Sequence, residues 1–299
     1  MSTWIIIAVF GYLLLAIEGV ISKFLLTGRI KNWRLYSFYV GVLSLNGMIF
    51  APFGLLWKGW LLFLISLLAG IIFYIGIIFL YRALQTSSAS RVYVLFGAIV
   101  TLGTLIWEHI LVGKEFTAEE LFGVGFLVIG GFFISFKIYK LRFFSNYKNA
   151  IAAGLFASFG LVMLKYAFDE QNFVTGYVFS RVGIFLMAMA LLGSGNFRKI
   201  VRKNFSKKER KNQKGNFLGV VGAKIISGLG TLGVNYAISL GSVALVNALV
   251  SVQYMFTFVL ATVLGFYMKD YLQEKLTFYN IIFKAMGVIA VVVGVLLVK

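Results

Sequence analysis

Several ionisable residues of this 299-residue chain fall inside long apolar stretches, where their chemistry has to be accounted for. A charge near the centre of a hydrocarbon layer costs roughly 2.5–3.5 kcal/mol on insertion scales, so such a residue needs a partner or a task. Among the acids, only Glu18 is expected deep within a stretch. It could receive a substrate cation, carry a coupling proton if burial raises its pKa, or pair with a lysine. Arg181 stands almost midway along another stretch and must face a cavity or a partner rather than lipid. Lys224 lies about a third of the way into a third one, where Ser227, Thr231 and Asn235 recur at helical spacing and continue a polar stripe. Such a stripe lines a water-filled path or glues one helix to another.

Other polar residues have weaker credentials. Arg91 follows Ser87, Ser88 and Ser90; its guanidinium can clamp a carboxylate or phosphate bidentately, or touch lipid phosphate at a helix end. Asn247, Ser251 and Tyr254 recur at i, i+4 and i+7, with Gln253 beside them, so one helical face is polar. Tyr74, Tyr81 and Tyr236 could wall a binding site, although at 17% aromatic content most rings pack or sit at an interface. Lys23 and Lys165 lie near segment ends, where a lysine stem snorkels. His109, next to Glu108, reads as an interfacial residue without a tuned role.

The elements that must position these groups follow from composition. The chain is 61% hydrophobic and only 13% charged, which leaves too little polar surface to cover a water-soluble particle. It has no cysteine, so disulfides, thiolate catalysis, iron–sulfur clusters and cysteine zinc sites are excluded. A bilayer core of about 30 Å takes roughly 20 apolar residues per helix. Ten segments fit: 4–26, 35–56, 59–84, 89–112, 121–136, 150–168, 173–192, 217–240, 244–268 and 278–298. They are continuous rather than alternating in polarity, which argues against a β-barrel. The first is too long for a signal-peptide core and lacks a basic leader, so it is expected to remain as a helix. The expected fold class is an all-α integral membrane protein with ten transmembrane helices.

The formal charge of +18 is distributed unevenly. The first, fifth and seventh connections are basic, and the seventh, 194–215, holds nine Lys and Arg. The fourth carries Glu115, Glu119 and Glu120, the sixth only Asp169 and Glu170. The positive-inside rule places the odd connections in the cytoplasm and both termini outside. Phe197 and Phe205 interrupt the seventh connection in the manner of a nucleic-acid patch, but a tether on anionic lipid headgroups explains it better, at roughly 1 kcal/mol per basic residue. No nucleic-acid partner is expected.

Five helices per half is an odd number, so a duplicated half must lie upside down relative to its partner. Lys23 and Gly41 recur as Lys165 and Gly183 at one offset; Arg82-Ala83-Leu84 recurs as Tyr236-Ala237-Ile238; Gly123 and Gly130 recur as Gly287 and Gly294. Two inverted five-helix repeats follow, 1–140 and 145–299. With Ser88-Ala89-Ser90-Arg91-Val92 matched by Ser242-Val243-Ala244-Leu245-Val246, and Gly113-Lys114-Glu115-Phe116-Thr117 by Gln273-Glu274-Lys275-Leu276-Thr277, the sequence resembles the ten-helix EamA type of the drug/metabolite transporter superfamily over essentially its whole length. These motifs are degenerate and specify a fold rather than a cargo.

The resemblance implies secondary transport of a small polar or amphipathic metabolite by alternating access, with a cavity lined by helices 1, 3, 4, 6, 8 and 9. It also implies cytoplasmic termini, against the charge distribution. Candidate substrate-binding residues are Glu18, Tyr74, Arg91, Arg181, Lys224, Asn235, Tyr236, Asn247 and Tyr254, with the basic ones favouring a carboxylate or phosphate. The expected setting is the inner or plasma membrane, as a monomer or homodimer without cofactor or metal. H-E-x-x-H, G-x-S-x-G and Walker A patterns do not occur, and an enzyme is not expected. The competing readings are a lipid flippase and a structural or assembly protein that moves nothing.

Overall fold

The computed structural model describes residues 2–25, 33–86, 89–135, 147–204, 217–267 and 278–298, and every element among them is helical. In chain order these are α1 Thr3–Leu25, α2 Trp33–Leu43, a 3-10 helix Ser44–Phe53, α3 Trp60–Thr86, α4 Ala89–Val112, α5 Ala118–Ser135, α6 Tyr147–Glu170 and α7 Phe173–Ala190. After a 3-10 turn, Leu191–Gly193, come α8 Gly195–Asn204, α9 Phe217–Leu240, α10 Val243–Ala248, α11 Val250–Tyr267 and α12 Phe278–Leu297. Among the described residues, eight helical stretches are long and apolar enough to cross a membrane, and shorter apolar stretches occupy Ile225–Leu240 and Ile282–Leu297. Phe10, Ile49, Phe122 and Ile289 present their side chains outward. Water would penalise that surface and lipid tails do not. The chain is built as a multi-pass α-helical membrane protein.

Two compact units divide the helices, and each draws on both halves of the sequence. The first contains α1, α5 and α9 to α12; the second contains α2, the 3-10 helix, α3, α4 and α6 to α8.

In the first unit, glycines set the closest crossings. A Cβ on Gly11 of α1 would lie 3.0 Å from the Gly230 carbonyl oxygen of α9, and one on Gly230 would lie 2.9 Å from that of Gly11. Between α5 and α12, Gly130 meets Gly287 and Gly123 meets Gly294 in the same reciprocal way. Lipid tails supply no hydrophobic drive between helices, so close backbone approach, with the dispersion it allows, carries the packing.

In the second unit, α3 is the hub. It packs on α6, where a Cβ on Gly160 would come within 2.7 Å of the Phe73 backbone nitrogen, and on α7, where Gly70 and Gly183 sit against the backbones of Ser180 and Leu67. The short turn before α7 is tied to the one before α3. Asn172 Nδ2 donates to the Gly54 carbonyl (2.6 Å), Leu56 N donates to Thr175 Oγ1 (2.9 Å), and Asn172 Oδ1 caps α7 by accepting from Thr175 N (2.8 Å). Gly54 and Gly59 turn this loop with φ of 129° and 104°, a region that L side chains avoid. The rings of Trp57, Trp60, Phe63 and Phe179 interlock at this end of the unit. At the other end, Tyr36 meets Tyr81 and Phe38 meets Phe197, and the exposed Arg198, Lys199 and Arg202 follow.

Four elements differ from what periodicity suggests. The second segment is α-helical only to Leu43; beyond it the Ser44 hydroxyl bonds the Gly41 carbonyl (2.6 Å) and the chain tightens into 3-10 geometry as far as Phe53. The fifth starts at Ala118, because Thr117 and Glu120 form a reciprocal capping box: Thr117 N donates to Glu120 Oε2 (2.9 Å) and Glu120 N to Thr117 Oγ1 (3.2 Å). The ninth tightens for one turn at Leu249, where Val252 N bonds the Leu249 carbonyl (2.9 Å), which separates α10 from α11. The basic seventh connection begins as a helix, α8, whose buried Phe197 faces inward while its charges face out; residues 205–216 lie outside the described ones.

Candidate functional site

The tightened turn of the ninth segment gathers polar groups in the first unit. Ser242 caps α10 by accepting from Leu245 N (3.3 Å); the ladder reaches Leu249, whose N bonds the Leu245 carbonyl (3.3 Å), and then tightens, with Val252 N bonding the Leu249 carbonyl (2.9 Å). Next to this turn, the Val246 carbonyl accepts a hydrogen bond from the hydroxyl of Tyr12 in α1 (2.9 Å). Tyr12 is buried, so this carbonyl has a partner in a place without water. Asn247 Nδ2 donates back to the Val243 carbonyl (2.8 Å). Just past Leu249, Ser251 Oγ donates to the Leu127 carbonyl of α5 (2.6 Å), and Gly131 makes room: a Cβ there would lie 2.6 Å from Ser251 Oγ and 3.3 Å from Tyr254 Cδ2. A carbonyl freed by such tightening inside an apolar helix needs a partner in protein. Tyr12 supplies such a partner to the Val246 carbonyl from α1, and Ser251 in turn supplies one to the Leu127 carbonyl of α5.

The other sequence candidates of this unit are more dispersed. Asn235 is buried in α9, its Nδ2 donating to the Thr231 carbonyl one turn back in the same helix (2.8 Å). Tyr236, next to it, is 42% exposed and Tyr254 is half-buried. Glu18 is half-buried in α1. Lys224 lies on α9, with its side chain outside the described residues. Lys284, a residue of the tenth segment without an expected role, is 6% exposed, and its Nζ stands 4.4 Å from the centre of the Phe258 ring.

Tyr74, Arg91 and Arg181 belong to the second unit. Tyr74 is buried among Ile184 and Ala188, donates its hydroxyl to the Ser37 carbonyl (2.5 Å) and fills the space that Gly41 leaves. Here it anchors the core of the unit. Arg91 lies in the first turn of α4, and its side chain is outside the described residues. Arg181 packs its stem beneath Gly47 of the 3-10 helix, its guanidinium carbon lies 4.2 Å from the centre of the Tyr177 ring, and its Nε is buried without a hydrogen-bond partner among the described residues.

One acid escaped sequence reasoning. Glu108, which the sequence offers only as the neighbour of His109, is 1% exposed in α4, so Glu18 is not the lone acid drawn into the protein. A signal existed: Thr101, Thr104 and Glu108 stand at i, i+3 and i+7 and are all buried on one face. His109 is exposed and its Nδ1 lies 3.0 Å from the Lys114 carbonyl, an arrangement that puts the proton on Nδ1 and closes the end of α4. Lys165 pairs with Asp169 one turn on (2.8 Å) rather than only snorkelling. Lys23 lies on α1, its side chain outside the described residues.

No family model matches the sequence, and no curated protein matches it. Among solved structures, the crystal structure of a protein superposes with a TM-score of 0.70 and 18% sequence identity, covering 100% of this chain and 99% of that one. At that identity the likeness is one of fold.

Proposed function

We propose that the chain is a secondary transporter of the EamA type, with ten transmembrane helices in two inverted repeats, which moves a small polar or amphipathic metabolite across the cell membrane by alternating access. The observation that carries this reading is the polar cluster on the ninth segment about its tightened turn at Leu249, where Tyr12 bonds the Val246 carbonyl, Asn247 the Val243 carbonyl and Ser251 the Leu127 carbonyl of α5. Secondary transporters place their substrate sites where polar groups meet irregular turns of membrane helices. Asn247, Tyr254 and Glu18 are the groups of the first unit proposed to meet substrate, with Glu18 carrying a proton or pairing with a cationic group.

The glycine crossings support the duplication. At the register set by Lys23 and Lys165, Gly11 aligns with Ala153; at that set by Ala83 and Ala237, Gly76 aligns with Gly230. A Cβ on Gly230 would lie 2.9 Å from the Gly11 oxygen, and one on Gly76 would lie 2.8 Å from the Ala153 oxygen. The two units thus make the same helix crossing with aligned residues.

Screening the purified protein by thermal shift against amino acids, sugars, nucleosides, phosphates and quaternary amines identifies a ligand, because binding stabilises by RT ln(1 + [L]/Kd). Uptake of that ligand into proteoliposomes then tests the site. Asn247→Ala is expected to reduce uptake at least tenfold, and Glu18→Gln to abolish its dependence on pH. Unchanged uptake in both variants would remove this site from the mechanism.

A further inference from the structure

Arg181 carries a second inference, independent of transport. Its Nε–H is buried and has no acceptor among the described residues. Burying an arginine donor unsatisfied in a membrane-embedded bundle is costly, and evolution can remove the cost by a single substitution. Instead, the surroundings hold the side chain in place. Gly47 is the residue of the 3-10 helix that lies over it: a Cβ there would come 2.7 Å from Arg181 Cγ and 3.0 Å from Tyr177 Cε1. The Ser44 hydroxyl bonds the Arg181 carbonyl (3.2 Å), fixing α7 to the start of the 3-10 helix. The Tyr177 ring lies against the guanidinium one helical turn before it, so the group is drawn back along α7 towards the end of the unit that bears Trp57.

The chemistry of this buried edge is specific. Nε–H and the neighbouring Nη–H point the same way in one plane, a fork that fits two oxygens of a carboxylate or phosphate. Tyr177 is itself in contact with Phe50 and Phe173, so apolar rings neighbour the fork. We propose that the Nε edge of Arg181, between the 3-10 helix and α7, is a binding site for the anionic head, carboxylate or phosphate, of an amphipathic molecule. A free metabolite and a lipid headgroup share that chemistry.

The test uses the full-length protein in neutral detergent, with three probes: sodium octanoate, inorganic phosphate, and micelles doped with phosphatidylglycerol, against phosphatidylcholine as control. The expected result is saturable thermal stabilisation by at least one probe, weakened tenfold or more in Arg181→Lys, which keeps the charge and loses the fork. Response to octanoate or phosphate assigns the site to a soluble anion; response to phosphatidylglycerol alone assigns it to lipid. Equal stabilisation of the lysine variant, or none by any probe, overturns the proposal. Should Arg181→Lys fail to fold, ¹⁵Nε-arginine NMR of the unaltered protein decides: a single Nε resonance that moves with a probe sustains the site, and none moving removes it.

Discussion

Gly130 of α5 and Gly287 of α12 face each other reciprocally: a Cβ on either would lie 2.8 Å from the carbonyl oxygen of the other. About two helical turns away Gly123 and Gly294 meet in the same way, at 3.1 and 2.9 Å. Residue i touching j′ while j touches i′ is the pattern of a local two-fold axis between antiparallel elements, here within one chain. Overpacking such a contact costs about 1–3 kcal/mol. Gly130→Ala and Gly287→Ala should each lower the detergent unfolding temperature. The double variant should cost less than the two together, because either methyl already forces the helices apart. Strict additivity would mean that the two glycines are not at one crossing.

Tyr12→Phe removes the hydroxyl bonded to the Val246 carbonyl. A buried acceptor left alone costs about 1–3 kcal/mol. The expected outcome is faster amide exchange localised to residues around Leu249, with α5 and α12 unaffected, followed by hydrogen-exchange mass spectrometry.

Glu108 of α4 is buried and Glu119 of α5 is exposed. Glu108→Ala should therefore destabilise by about 1–3 kcal/mol, as expected for disturbing a buried polar group. Glu119→Ala, on the surface, should stay within about 0.5 kcal/mol. Thermal unfolding of the two variants side by side reads the difference, and equal effects would contradict the burial of Glu108.

Thr117→Ala opens the capping box at the start of α5, and the expected loss is about 1 kcal/mol. Thr117→Ser should restore most of it, because the hydroxyl oxygen is what accepts the Glu120 amide. The comparison is again one of unfolding temperatures.

The absence of cysteine makes topology directly testable, since single cysteines can be introduced without removing others. Glu170 and Arg198 are exposed at opposite ends of the second unit. With the basic connections in the cytoplasm, a membrane-impermeant maleimide applied to intact cells should label Glu170→Cys and spare Arg198→Cys. The reverse pattern would put the termini inside.

Composition and periodicity made the helices legible, because the thickness of the bilayer imposes long apolar runs whatever the tertiary arrangement. They located the second and ninth segments to within a few residues, and pointed to Asn247, Ser251 and Arg181 as polar groups in need of a reason. They could not show that both segments depart from a regular α-helix. Those departures depend on hydrogen bonds and contacts made across the chain: Ser44 with Arg181, Gly47 over the arginine stem, and Tyr12 with Val246, whose sequence separations no local pattern encodes. Burial was misjudged for the same reason. Glu108 stands near the end of its helix, yet packing with α6 and its neighbours, not distance from the helix end, decides how much water reaches it. By itself, then, the sequence determined that the chain forms apolar helices, and which ends carry positive charge. Only the tertiary structure decided where the helix ladder tightens and which side chains lose water, because both depend on which backbones glycine allows to approach one another.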